Sequence, residues 1–163
     1  MKLFKALQGL VLVGLAASLP ASAAGTDEGF IYLPPEGVTF KSPFGGYGPD
    51  QAILFGDPSK PGVYVVRVRF PPGTHAYPHY HSQDRHAGVI KGTWWNGTGP
   101  DIDFNKAKPV KVGSYVLHPA GGIHWDGAGD EETIIQITGI GPVETTQVVN
   151  PQDARDTHWP APK

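Results

Sequence analysis

The sequence contains no cysteine. Disulfides, iron–sulfur clusters and thiolate zinc sites are therefore excluded. Charge is sparse too. Only 17% of the residues are Asp, Glu, Lys or Arg, and the basic ones are scattered, without the clustered patch or aromatic interleaving that nucleic-acid binding uses. Beyond residue 24 there is no sustained helical period and no run apolar enough to cross a bilayer. What the chain has instead is 22 glycines and 17 prolines in 163 residues. They alternate with short runs rich in Val, Ile, Tyr, Phe and Thr. That alternation predicts many tight turns between strands rather than disorder, and the length suits one domain with a single core.

The first 24 residues have the three-part layout of a secretory signal peptide. Lys2 and Lys5 precede an apolar run over residues 6–19; the small residues Ala21, Ser22 and Ala23 follow, then the polar Thr26, Asp27 and Glu28. Cleavage is expected after Ala23 or Ala24. A membrane anchor is the competing reading, but the run is short and lacks a basic stop. The predicted mature protein, residues 25–163, is soluble, carries a net charge of about −4 and lies in the periplasm or outside the cell, with no membrane contact once the leader is gone.

The clearest strand covers residues 64–70. Tyr64, Val66, Val68 and Phe70 share one face and Arg67 and Arg69 the other, as a period of two requires. Further strands are predicted at 75–81, 87–90, 93–95, 113–118, 133–137 and 145–149, with one or two edge strands within 30–55. Asn96-Gly97 reads as a hairpin turn, in preference to the glycosylation acceptor that Asn96-Gly97-Thr98 formally spells. The stretch 101–110 reads as loop with a short strand, and 152–163 as a loose tail with Trp159 as its anchor.

Histidines carry the chemical signal. His79 and His81 are two apart, so in one strand both imidazoles project from the same face and can converge on one ion. His124 follows a turn built on Pro119, Ala120, Gly121 and Gly122, where a neighbouring strand can bring it to the first two. Same-face histidines are also common on half-exposed strands, so the spacing alone leaves both readings open.

Gly73, His79, His81 and Gly92, followed by Gly113, Pro119, Gly121 and His124, resemble the two spaced motifs of the cupin superfamily. The run 55–62, the Gly141-Pro142 step and Val149-Asn150-Pro151 resemble secreted bacterial single-domain cupins in particular. The resemblance spans about residues 30–152. It implies an all-β double-stranded β-helix, a jelly-roll barrel, with His79, His81 and His124 as ligands of one divalent transition metal. Fe(II) is favoured, and neutral imidazoles equally suit Mn, Ni, Cu, Co or Zn.

Two positions depart from the pattern. Ala128 replaces the closing asparagine of the second motif, and Arg85 stands where many cupins place a glutamate ligand. A guanidinium offers only donors and cannot ligate a cation. Three readings follow: an open three-histidine site in which Arg85 holds an anionic substrate group; a bulge that makes His86 the fourth ligand; or a site that only binds. His75 shares parity with His79 and His81 if the strand stays regular through Pro78, and reads as a rim histidine or as a base above the metal. His118 reads as packed or surface. Tyr77, Tyr115, Trp94, Trp95 and Trp125 are candidate cavity or core aromatics, with Tyr77 the substrate-binding candidate; of Trp94 and Trp95 only one can face inward. The function expected is a metal-dependent dioxygenase acting on a small anionic or phenolic molecule. The alternatives are a non-catalytic extracytoplasmic binder of a metal or small ligand, and an isomerase or lyase. A homodimer is consistent with the resemblance.

Overall fold

The structure, a computed structural model, describes residues 26, 27, 29–43 and 48–148. The predicted leader and the tail with Trp159 lie outside the described residues. The chain divides into two compact units, Met1–Tyr32 and Leu33–Lys163. The first contains a short hairpin of β1 (Thr26–Asp27) and β2 (Phe30–Ile31), with Asp27 opposite Phe30.

The second unit contains β3 (Asp50–Phe55), β4 (Gly62–Phe70), β5 (His79–His81), β6 (Arg85–Lys91), β7 (Thr93–Thr98), β8 (Lys108–Lys111), β9 (Tyr115–His118), β10 (His124–Ala128), β11 (Thr133–Gly141) and β12 (Thr145–Gln147). They form two five-stranded sheets with antiparallel pairing. One has the order β3-β4-β11-β6-β9 and the other β12-β5-β10-β7-β8. Gly92, in the left-handed region at φ +73°, turns β6 into β7. A Cβ there would lie 2.5 Å from the Glu132 carbonyl oxygen, so only glycine fits.

The inner faces of the two sheets differ in chemistry. The first sheet supplies the apolar wall: Tyr64, Val66, Val68 and Phe70 from β4, Ala87 and Val89 from β6, and Ile135 and Ile137 from β11. Register stacks them, with Ile135 opposite Val68 and Ile137 opposite Val66. Each fully buried large side chain contributes about 1.5–3 kcal/mol relative to exposure. The second sheet adds Trp94 and Ala128 to this core and otherwise presents polar groups inward. The period-two reading of residues 64–70 holds: the four predicted core residues are buried and Arg67 and Arg69 are partly exposed. Trp94 faces in and is fully buried, and Trp95 faces out.

One row across the first sheet bears on the site. Tyr64, Gly139 and Arg85 are successive partners on β4, β11 and β6, all on the inner face. A Cβ on Gly139 would lie 2.4 Å from the Tyr64 hydroxyl. The missing side chain thus leaves the space that the Tyr64 ring occupies beside Arg85.

Two local expectations change. Asn96-Gly97 is not a turn but lies inside β7, where Gly97 pairs with Trp125 of β10. The Trp125 indole covers Gly97 so closely that a Cβ would lie 2.0 Å from the ring, and an aromatic over a strand glycine replaces the missing side-chain packing. The strand expected at 75–81 is regular only over His79–His81. Upstream, Ala76 N–H donates to the Asp126 carbonyl and His75 bridges Gly127, whereas His79 pairs with His124. The register slips by one residue around Pro78, which has no N–H for the ladder.

These contacts predict opposite outcomes for two strand glycines. Gly97→Ala should cost about 1–3 kcal/mol by overpacking against Trp125. Gly88→Ala, whose Cβ would meet nothing nearer than the Ser114 carbonyl oxygen at 3.8 Å, should stay within about 0.5 kcal/mol of the parent. Urea unfolding of the two variants checks this; equal stabilities would contradict the packing.

Candidate metal centre

The pairing of β5 with β10 puts His79 directly opposite His124. The pleat then brings His81 to the same face, two residues on. The turn before β10 is tied to β5 as well: Gly121, at φ +72°, donates its N–H to the His81 carbonyl at 2.9 Å. All three histidines are buried. Their ring centroids lie 4.4 Å (His79–His124), 4.9 Å (His79–His81) and 5.3 Å (His81–His124) apart. One nitrogen from each lies within 4.8 Å of the others, a group that could hold a metal ion.

Hydrogen bonds on the outer side fix how the rings present themselves. His79 Nδ1 donates to the Tyr77 carbonyl at 2.6 Å, and His124 Nδ1 donates to the Gly122 carbonyl at 2.8 Å. A carbonyl only accepts, so both rings carry their proton on Nδ1 and expose the Nε2 lone pair. His81 Nδ1 lies 3.0 Å from the Thr145 hydroxyl of β12, which serves either tautomer. The Nε2 of His124 is buried without a hydrogen-bond partner. A lone pair in that position fits a metal ligand, because a buried polar atom otherwise goes unsatisfied at a cost of about 1–3 kcal/mol. Imidazole donors without thiolate or carboxylate suit first-row transition metals rather than Ca or Mg.

The cluster opens into a cavity of about 600 Å³, the size of a small-molecule site. Val68, Phe70, Ile135 and Ile137 form its apolar side. Arg85 and His118, cross-strand partners on β6 and β9, complete the polar side. Arg85 Nη1 lies 2.5 Å from His81 Nε2 and 3.3 Å from Nδ1, so the guanidinium lies against the ring near its Nε2 edge. Burial lowers the Arg85 pKa from its ordinary value, while Tyr64 and Asp126 oppose that shift. His118 Nε2 lies 3.0 Å from Asn96 Oδ1, and its ring centroid is 3.8 Å from that of His124.

Sequence reasoning missed two members of this wall. Asp126 is buried, lines the cavity and accepts a hydrogen bond from Trp94 Nε1 at 2.9 Å. It sits two residues after His124, so the parity that paired His79 with His81 was available to find it. Thr145 reaches His81 from a strand 64 residues away, and no local pattern marks it.

Two candidates fall outside the cluster. His86 cannot serve as the fourth ligand: it is exposed on the outer face of β6, with Nδ1 2.8 Å from the Tyr115 hydroxyl. No bulge re-aims it, because β6 runs regularly from Arg85 to Val89 against β11. His75 borders the cavity and is buried, but the register slip at Pro78 turns its side chain to the face of Gly127 and Trp125. Its ring meets Phe104 there at 5.4 Å, and Phe104 packs on Trp125 at the same distance. It borders the same cavity as the three histidines without belonging to their cluster. Tyr77 lines the cavity as expected.

Burial also sets a pH dependence. Desolvation pushes His118 down to about 3 and lowers His81 and His124; neighbouring histidines and Arg85 reinforce it, and Asp126 opposes it at His118 and His124. These rings take up protons at lower pH in the folded protein than in the unfolded chain, which does so below about 6.5. Stability is therefore complete above that pH and falls as pH drops toward 3, by up to about 1.4 kcal/mol per pH unit for each such histidine. Thermal unfolding of metal-free protein should show a midpoint that declines steadily from pH 7 to pH 4. A flat profile would contradict the assignment.

No family model matches the chain, and no curated protein matches it in sequence. Solved structures do match. Rru_A2000 from Rhodospirillum rubrum, a cupin-2 domain, superposes with a TM-score of 0.58 at 16% identity, covering 76% of this chain and 82% of that one. The polyketide cyclase RemF from Streptomyces resistomycificus gives 0.61 at 14% identity over 77% of this chain and 88% of that one. The DMSP lyase DddQ from Ruegeria pomeroyi DSS-3 gives 0.55 at 14% identity over 68% of this chain. This chain covers only 61% of the lyase's length. At such identities the likeness is one of architecture. Two antiparallel five-stranded sheets, closed around an inward-facing histidine cluster, give this chain the cupin fold, a double-stranded β-helix.

Proposed function

We propose that the protein is an extracytoplasmic cupin that binds one divalent transition metal through His79, His81 and His124, and that it acts as a metal-dependent oxygenase on a small anionic or phenolic molecule. The observation that carries the metal assignment is the pair of carbonyl-anchored rings, His79 and His124, with the buried Nε2 of His124 lacking any partner. Iron(II) is the metal proposed, and when bound it would supply redox chemistry toward O₂.

The chain's own residues then have separable tasks. The three imidazoles would hold the ion, and among the described residues no carboxylate joins their cluster. Val68, Phe70, Ile135 and Ile137 exclude water from the apolar side of the cavity. Arg85, with its Nε buried and unpartnered, offers donors to a carboxylate or phenolate entering beside the histidines. Tyr77 borders the same space. A small molecule entering here would meet an apolar wall, the Arg85 cation and the Asp126 carboxylate.

A second reading, a binder without turnover, is favoured by the contact of Arg85 with His81. That contact places positive charge beside the proposed ion.

Metal analysis separates the ligand set. Protein loaded with Fe(II) under anaerobic conditions should hold about one ion per chain. His79→Ala should lose metal retention by about 100-fold or more, and His86→Ala should retain it unchanged. Equal loss in both variants would overturn the three-histidine assignment. For the activity, Fe(II)-loaded protein is screened for O₂ uptake with carboxylic acids and phenols. Metal-dependent uptake absent in His79→Ala is expected. Ligand-induced thermal stabilisation without any consumption of ligand or O₂ would favour the binder instead.

A further inference from the structure

Resting on the metal site proposed above, we propose that Arg85 and the metal oppose one another at His81, and that an anion which draws the guanidinium away promotes metal binding. The cavity then takes up its metal and an anionic ligand cooperatively.

The argument starts from proximity. A divalent ion lies about 2.1 Å from an imidazole nitrogen it ligates. At His81 that nitrogen already has the Arg85 Nη1 at 2.5 Å. Two positive groups so close repel strongly, because the buried position of the guanidinium weakens solvent screening. Asp126 and Tyr64 act on Arg85 electrostatically, but neither carboxylate oxygen of Asp126 is in an ion pair with it. Among the described residues Arg85 forms no ion pair, and its Nε is buried without an acceptor. The nearby carboxylate, Asp126, accepts its hydrogen bond from Trp94. The Tyr64 ring fills the space over Gly139 on the other flank. A guanidinium displaced from His81 therefore moves into the cavity.

An anion in the cavity changes this balance. A carboxylate pairs with the planar guanidinium through two parallel hydrogen bonds, neutralises it and gives it a position away from His81. The repulsion on the metal falls by the same free energy that the metal adds to the anion's binding, since such coupling is reciprocal. A monocarboxylate with an apolar body matches both the single cation and the apolar wall. The replacement of a carboxylate ligand by Arg85 then does more than open a coordination position: it makes occupancy of the ion depend on the anion.

The test uses Co(II) and benzoate as probes. Metal-free wild-type, Arg85→Gln and Arg85→Met proteins are titrated with Co(II) at constant ionic strength, with and without benzoate, and thermal melts verify that each is folded. Both variants should bind Co(II) about 10-fold more tightly than wild type in the absence of benzoate. Benzoate should tighten Co(II) binding to wild type by about 5-fold or more and leave both variants unaffected. Variants that bind Co(II) no more tightly than wild type overturn the proposal. So does benzoate enhancement that survives in both variants, since the anion would then act at the metal itself. Co(II) binding absent from all three proteins is a different failure: it removes the three-histidine site, and the coupling with it.

Discussion

The pairing of His79 with His124 across β5 and β10 governs the rest of the molecule. A cross-strand pair in antiparallel register puts two side chains on the same face at contact distance. The pleat adds His81, and the glycine turn that precedes β10 is bonded to the His81 carbonyl, so the three rings are fixed by backbone geometry before any ion is considered. Short-range carbonyls then choose the tautomers of two of them. Burial of these rings is what lowers the proton affinity of His81, His118 and His124.

The barrel makes this affordable by dividing its interior. The first sheet contributes stacked Val, Ile and Phe side chains, and the second contributes the imidazoles, Asp126 and Trp94. Polar groups on the second wall can satisfy each other, as Trp94 does for Asp126, and Asn96 reaches across to His118 of the first sheet, while the apolar side chains of the first sheet supply the hydrophobic stabilisation. The row Tyr64–Gly139–Arg85 is where the division is breached. There the apolar sheet sends a cation toward the histidines, and the absence of a side chain at Gly139 leaves room for the Tyr64 ring beside it.

Much of this was legible in the chain. The alternation of residues 64–70, the rule that only one of Trp94 and Trp95 faces inward, the three histidines and the anomalous Arg85 all follow from a period of two and from a spaced motif. The failures have a common cause. Strand parity propagates only while the register is unbroken, and the slip around Pro78 reverses it, sending His75 toward Phe104. Pro78 itself was the available warning. Asn96-Gly97 carried the strongest local turn signal in the sequence, but Trp125 lies across the glycine and keeps it in a strand. His86 was a ligand only if a bulge existed in β6, and β6 is regular through that position. Thr145 could not be found at all, because its role depends on which strand the chain returns to after a long excursion. The three structures described above share its architecture at 14–16% identity, and they include a cyclase and a lyase, so the fold leaves the chemistry to the site.

The site's distinctive property is therefore electrostatic: a three-imidazole face with a guanidinium at its side in place of a carboxylate. Everything proposed for it depends on those three nitrogens meeting one ion. X-ray absorption of the Co(II)-loaded protein tests that most directly, because imidazole rings give a characteristic multiple-scattering pattern. The account predicts three imidazole nitrogens in the cobalt shell, with the remaining positions filled by light oxygen donors and the pattern lost in His124→Ala. A shell without imidazole scattering, or one unchanged by that substitution, would contradict it.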